Sequence, residues 1–166
     1  AFYECDSLYS INLENVSQIG AGAFVYCSNL DDIDLTNCSL IGENAFSVCQ
    51  SLINIKFPDS IYSIPQTAFE YTLWEQSAPD GVLYAGDFAY KIIGDFTDST
   101  LTFKDDTYAI NDDFLSYNEY VKKINLPDSL TSIGVSAFEG CSALKTVTIP
   151  DSCGVQAMAF YGCSSL

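Results

Sequence analysis

Apolar residues recur along this chain in a fixed order that is longer than any single helical or strand period. The clearest stretch is Ile133-Gly134-Val135-Ser136-Ala137-Phe138-Glu139-Gly140-Cys141-Ser142-Ala143-Leu144-Lys145-Thr146-Val147-Thr148-Ile149-Pro150, an order of Ile-Gly-x-x-Ala-Phe-x-x-Cys-x-x-Leu-x-x-Val-x-Ile-Pro. Its end, Leu144 to Ile149, alternates apolar and polar residues and predicts a short strand with one buried face. Pro58, Pro127 and Pro150 close such strands and are each followed by Asp-Ser, a turn signal, because proline fixes φ and the next side chains can bond the backbone. Leu130-Thr131-Ser132-Ile133 predicts a second extended piece, with Gly134 permitting the bend that follows. Ala137 to Cys141 is too short for a free helix and predicts a 3₁₀ or single α turn.

The same order begins at Ile19, Ile41, Ile64, Ile110, Ile133 and Val155, with Ala1-Phe2 to Leu13 as a fragment in front. Every step is 22 or 23 residues except the one from 64 to 110, which is 46 and therefore keeps phase. The copy at Ile110 is weaker: Phe114-Leu115 stands for Ala-Phe and Asn118 for Cys. Residues 73–99 lack the motif. There Val82 to Ala85 and Phe88 to Ile93 flank Gly86-Asp87 and predict a β-hairpin, one repeat remodelled, carrying Trp74, Tyr84, Phe88 and Tyr90. Residues 1–166 thus read as a single repeat domain. It starts and stops inside a unit, which predicts a segment cut from a longer array. Stacked coils would set Phe2, Phe24, Phe46, Phe69, Phe138 and Phe160 in one aromatic spine.

Composition narrows the functional classes. Six basic residues, all lysine, face 22 acidic ones, for a net charge of −16, and neither arginine nor histidine occurs. Phosphate neutralisation needs a basic surface, so nucleic acid is excluded as the expected partner. No apolar run is long enough to span a bilayer. Without histidine there is no Ser-His-Asp or Cys-His pair, and no glycine-rich phosphate loop is present, so neither a catalytic residue nor a cofactor is expected. Of seven cysteines, Cys5, Cys27, Cys49, Cys141 and Cys163 fall in one repeat slot, and Cys38 and Cys153 in another that is otherwise apolar. This predicts reduced thiols packed as small hydrophobes. Closely spaced cysteine pairs of the kind zinc prefers are missing.

The strand pattern leaves alternate residues on an open sheet face, and these are the candidate partner-binding residues: Asp31, Asp32, Asp34 and Lys56, then Lys122, Lys123, Asn125, Lys145, Thr146 and Thr148. Trp74, Tyr84 and Tyr90 join them as hairpin aromatics. The three aspartates have oxygen chemistry suited to Ca²⁺, but no EF-hand spacing surrounds them, and no metal site is expected.

The repeat Ile-Gly-x-x-Ala-Phe-x-x-Cys-x-x-Leu-x-x-Ile-x-Ile-Pro-x-Ser resembles the BspA-like leucine-rich repeat of large surface proteins in anaerobic bacteria and some parasitic protists. The Gly81-Val82-Leu83-Tyr84 interruption is similar to one that recurs in that family. The resemblance implies a leucine-rich repeat solenoid, a β-rich curved right-handed coil of short strands and 3₁₀ or short helical turns. It also implies a cell-surface or extracellular location and a non-catalytic role in adhesion or protein binding, with a host extracellular or surface protein as the kind of partner expected. The alternative is a structural spacer arm with no ligand of its own.

Overall fold

A computed structural model describes residues 1–166, which divide into two compact units, Ala1–Ala78 and Pro79–Leu166. The boundary between the units falls within the stretch where the motif is interrupted.

The first unit contains β1 (Gln18–Ile19), β2 (Asp32–Asp34), β3 (Leu40–Ile41), β4 (Asn54–Lys56) and a four-residue helix α1 (Leu73–Gln76). Residues one repeat apart pair in parallel: Ile19 lies opposite Ile41 in the β1-β3 row, and Ile33 opposite Ile55 in the β2-β4 row. The isoleucines face inward, and the flanking Asp32, Asp34, Asn54 and Lys56 stay exposed. Phe2, Phe24, Phe46 and Phe69 form a continuous stack, with centroids 5.1, 5.1 and 5.3 Å apart and rings within 5° of parallel.

The turn through Ala and Phe, expected as a 3₁₀ or single α turn, is a run of three-residue hydrogen-bonded turns and not a continuous helix. In the coil at residues 21–27, the amides of Ala23, Val25 and Cys27 bond back three residues, to Gly20, Gly22 and Phe24. The alternate amides, Gly22, Phe24 and Tyr26, bond instead to Glu43, Ala45 and Ser47 of the next coil. A helix would keep every amide within the coil; here half of them join one coil to the next. The alternation is accommodated by left-handed residues, Gly22 at φ +61° and Tyr26 at φ +62°. The second of these slots recurs at Val48, Tyr71, Tyr117, Gly140 and Gly162.

The second unit contains β5 (Gly81–Ala85), β6 (Phe88–Ile93), β7 (Thr100–Thr102), β8 (Ala109–Ile110), β9 (Lys123–Asn125), β10 (Ser132–Ile133), β11 (Thr146–Val147) and β12 (Gly154–Val155). β5 and β6 are antiparallel around Gly86-Asp87. β6 in turn pairs in parallel with β8, so the sheet runs β12-β10-β8-β6-β5, beside a second sheet β11-β9-β7. The hairpin therefore extends a repeat sheet. Phe88, Ala89 and Tyr90 are fully buried. Leu115 occupies the aromatic slot of its coil, and Phe114 packs 5.4 Å from Phe103 and 6.2 Å from Phe138, so stacking resumes only from Phe138 to Phe160.

Gly134 has a different role from the bend expected. Its φ is not positive, but an added Cβ would lie 2.6 Å from the Asn111 carbonyl carbon and the Asp112 nitrogen. Glycine is needed there because the neighbouring coil's backbone passes too close for any side chain.

Candidate functional site

On the first unit, Asp31, Asp32, Asp34 and Lys56 are all exposed. Lys56 Nζ lies 3.0 Å from Asp34 Oδ2 across the parallel pair. The Thr36 hydroxyl and amide donate to Asp34 Oδ1 at 2.7 and 3.1 Å. These bonds, the Thr36 hydroxyl foremost and then Lys56, hold the Asp34 carboxyl down to about 2. Asp34 is thereby committed to its neighbours, and the three aspartates do not converge with other ligands into a metal cluster. Asp32, Asp34, Asn54, Lys56 and Trp74 surround a shallow depression of about 440 Å³.

On the second unit, Lys122, Lys123, Lys145, Thr146 and Thr148 are exposed, whereas Asn125 is half-buried and donates to Thr102 Oγ1 at 2.9 Å. Lys123, Asn125, Thr146 and Thr148 line a depression of about 260 Å³ together with Asp128. Its register follows from the pairs Lys123 to Thr146 and Thr102 to Asn125.

The three aromatic candidates behave differently from the expected contact surface. Trp74 is in α1, not the hairpin, and packs 5.4 Å from Phe69 and 5.2 Å from Phe57, capping the stack. Tyr90 is completely buried and beyond the reach of a partner. Tyr84 is half-buried: its hydroxyl accepts from the Lys104 amide at 3.1 Å, and Lys104 Nζ lies 4.5 Å above its ring. Lys104 also donates to Gly86 O at 2.9 Å and Asp87 Oδ1 at 2.8 Å, so it clamps the hairpin turn. Hydrophobic patterning cannot separate an aromatic that covers a core from one that projects.

All seven cysteines are free. In their main slot the thiol donates to the backbone of the preceding coil: Cys27 to Phe2 O at 2.9 Å, Cys49 to Phe24 O at 3.1 Å, Cys141 to Leu115 O at 3.1 Å and Cys163 to Phe138 O at 3.2 Å. Burial pushes Cys49 up to about 12 and Cys141 up to about 11, which disfavours the reactive thiolate.

One constellation is not among the sequence candidates. Asp95, Phe96, Leu115, Tyr117, Glu119 and Tyr120 line a depression of about 410 Å³ in the second unit. Asn118, in the cysteine slot, organises it. Its Nδ2 donates to Phe96 O at 2.7 Å, while its Oδ1 accepts from the Tyr120 and Val121 amides at 2.9 and 2.8 Å. Tyr117 and Tyr120 remain 70% and 56% exposed. The available signal was the replacement of Cys by Asn beside two tyrosines.

Parallel stacking at a 22- or 23-residue repeat, with buried Ile, Leu, Phe and Cys slots, defines a leucine-rich repeat β-solenoid. Comparison with known proteins gives the family. The model of the BspA type leucine rich repeat region matches residues 1–90 and 39–166 in six copies, and the chain belongs to that family. Among solved structures it is similar to the pneumococcal vaccine antigen PcpA, at 24% identity and TM-score 0.50, covering 89% of this chain and 46% of that one. It is also similar to a leucine-rich repeat protein from Bacteroides ovatus, at 20% identity and TM-score 0.40, covering 100% and 50% of the two chains. A leucine rich cell surface protein from Faecalibacterium prausnitzii matches at 18% identity and TM-score 0.41, over 99% and 54%. The chain spans about half the length of these relatives. No curated protein sequence matches it. No helix is long and apolar enough to cross a membrane.

Proposed function

We propose that this chain is a non-catalytic binding module of a cell-surface or secreted protein, which engages a protein partner through the open face of its strands. The observation that carries this reading is the β7-β9-β11 row. Its apolar residues turn inward, while Lys123, Asn125, Thr146 and Thr148 line an outward depression flanked by the exposed Lys122 and Lys145. In a chain with six basic residues against 22 acidic ones, three lysines so placed form a local cationic patch suited to an acidic surface. Family membership supports the same reading, because the repeat motif is spent on packing and carries no catalytic group.

The test is surface-plasmon binding to a panel of extracellular-matrix and cell-surface proteins, with a Lys122→Glu, Lys123→Glu, Lys145→Glu variant beside the parent and circular dichroism confirming that both fold. Saturable binding that the folded variant loses is expected. Retention of binding in the variant would remove the strand face from the proposal. Uniform failure to bind would favour a spacer arm.

A further inference from the structure

Independently of the strand face, the geometry points to a second docking site: the depression formed by Tyr117, Tyr120, Asp95 and Glu119 receives an arginine or lysine side chain of a cationic peptide segment on a partner protein.

Three features position Tyr117 with its ring outward. Its backbone is left-handed, at φ +59°, in a slot held by Glu4, Tyr26, Val48 and Tyr71 in earlier coils and by Gly140 and Gly162 in the next two. A non-glycine residue there costs about 1–2 kcal/mol of backbone strain. The ring lies over Gly140, where an added Cβ would sit 2.5 Å from Tyr117 Cδ1, so the absence of a side chain at residue 140 makes room for it. The hydroxyl donates to Glu139 Oε1 at 2.7 Å, and Glu139 is itself fixed by the Ser136 hydroxyl at 2.6 Å. Despite these restraints the ring contributes little burial, being 70% exposed. A strained, well-oriented and largely exposed aromatic is poorly accounted for by packing.

The Tyr120 backbone amide donates to Asn118 Oδ1 at the same depression, in a coil that departs from the repeat at this very slot. The lining includes three aromatic side chains, the exposed Tyr117 and Tyr120 and the half-buried Phe96, with two carboxylates, Asp95 and Glu119, and contains no lysine. Aromatic faces attract cations through the ring quadrupole, and guanidinium does so while also forming paired hydrogen bonds to carboxylate. The net charge of −16 steers the same class of ligand toward the surface. Charge complementarity therefore selects a cationic occupant over a neutral one.

The experiment is a fluorescence-anisotropy titration of the 166-residue chain with fluorescein-labelled hexa-arginine, at low and physiological salt. Saturable binding is expected. Tyr117→Ala and Tyr120→Ala together, which leave net charge unchanged, are expected to weaken it about five- to thirtyfold, from two cation–π contacts at exposed-site strength. Asp95→Asn with Glu119→Gln should weaken it more than Asp31→Asn with Asp32→Asn, which remove the same charge from the other unit. Tyr117→Gly guards against a folding artefact, since relief of the left-handed strain predicts an unchanged or raised Tm alongside weaker binding. Equal binding by the double tyrosine variant, equal losses from the two acid pairs, or displacement of the peptide by cellohexaose would each overturn the proposal, the last by reassigning the rings to a neutral sugar.

Discussion

Replacing Phe46 with alanine tests whether the phenylalanine stack is what holds the first unit together. Phe46 is fully buried and lies between two rings, Phe24 at 5.1 Å and Phe69 at 5.3 Å. Burial of a phenylalanine side chain stabilises by about 1.5–3 kcal/mol, and each aromatic pair adds about 0.5–1.5 kcal/mol. Two pairs bring the expected loss to about 2.5–6 kcal/mol, which brackets the usual range of about 3–5 kcal/mol for Phe→Ala in a core. Phe2 supplies the internal comparison. It is 39% exposed and has only Phe24 as a stacking partner at 5.1 Å, so the same sum for Phe2→Ala gives about 2 kcal/mol. Urea denaturation followed by the fluorescence of Trp74, the sole tryptophan, reads this unit directly, because the indole packs on Phe69 and Phe57. A shift for Phe46→Ala at least about 1 kcal/mol larger than for Phe2→Ala, with m unchanged, is expected. Equal shifts, or a Phe46→Ala cost under about 1.5 kcal/mol, would show that the stack is an incidental consequence of coil spacing.

Four further outcomes follow from other parts of the chain. Gly134→Ala is expected to cost more than about 2 kcal/mol, since its Cβ would meet the Asn111 and Asp112 backbone at 2.6 Å, while Gly20→Ala, with nothing within 4 Å, should stay within about 0.5 kcal/mol in the same denaturation assay. In a thiol titration at pH 8 the buried Cys27, Cys38, Cys49 and Cys141 should be silent until the protein is unfolded, leaving at most Cys5, Cys153 and Cys163 reactive in the native state. Because Cys49 and Cys141 are raised from 9.0 to about 12 and about 11, the folded state holds their protons more tightly; stability from this source is complete below pH 9 and falls as pH rises toward 11–12, measurable as a declining Tm. Asp34 has the opposite sign: its carboxyl, held at about 2, supports the fold above its ordinary 3.8 and loses that support as pH falls toward 2, and carboxyl-carbon NMR should show the midpoint rising in Thr36→Ala.

The coil spacing was legible because each stacked position must supply the same shape: Phe24, Phe46 and Phe69 recur where a ring must meet a ring, and Cys27 and Cys49 where a small buried donor meets the carbonyl above. The hairpin turn at Gly86-Asp87 was legible for a similarly local reason. Properties set by the adjacent coil were hidden. Gly134 looks like a bend in one dimension and is a close approach in three. Tyr84 and Tyr90 share a strand pattern with projecting residues, yet Lys104 covers one and the sheet buries the other. Trp74 lies within the interrupted stretch by sequence but caps the first unit's stack by contact. The exposed aspartates and lysines of the strand faces could be placed from alternation alone, whereas their partners, Thr36 and Lys56 for Asp34, depend on the parallel register.

The same reasoning explains why the Tyr117 depression escaped the motif. A solenoid repeats its backbone hydrogen bonds from coil to coil, so one slot can be compared under nearly constant geometry. At the left-handed slot, Gly140 and Gly162 are the residues that stability alone favours, and Tyr26, Val48, Tyr71 and Tyr117 are costly departures from it. A motif search scores those departures as noise, because it weights the buried positions that define the fold. Energetically the tyrosines among them are the opposite of noise: Tyr26, Tyr71 and Tyr117 combine a strained backbone with a side chain 45%, 60% and 70% exposed, and gain little from the fold around them. Tyr117, with its ring seated over Gly140 and its hydroxyl tied to Glu139, combines that strain with 70% exposure.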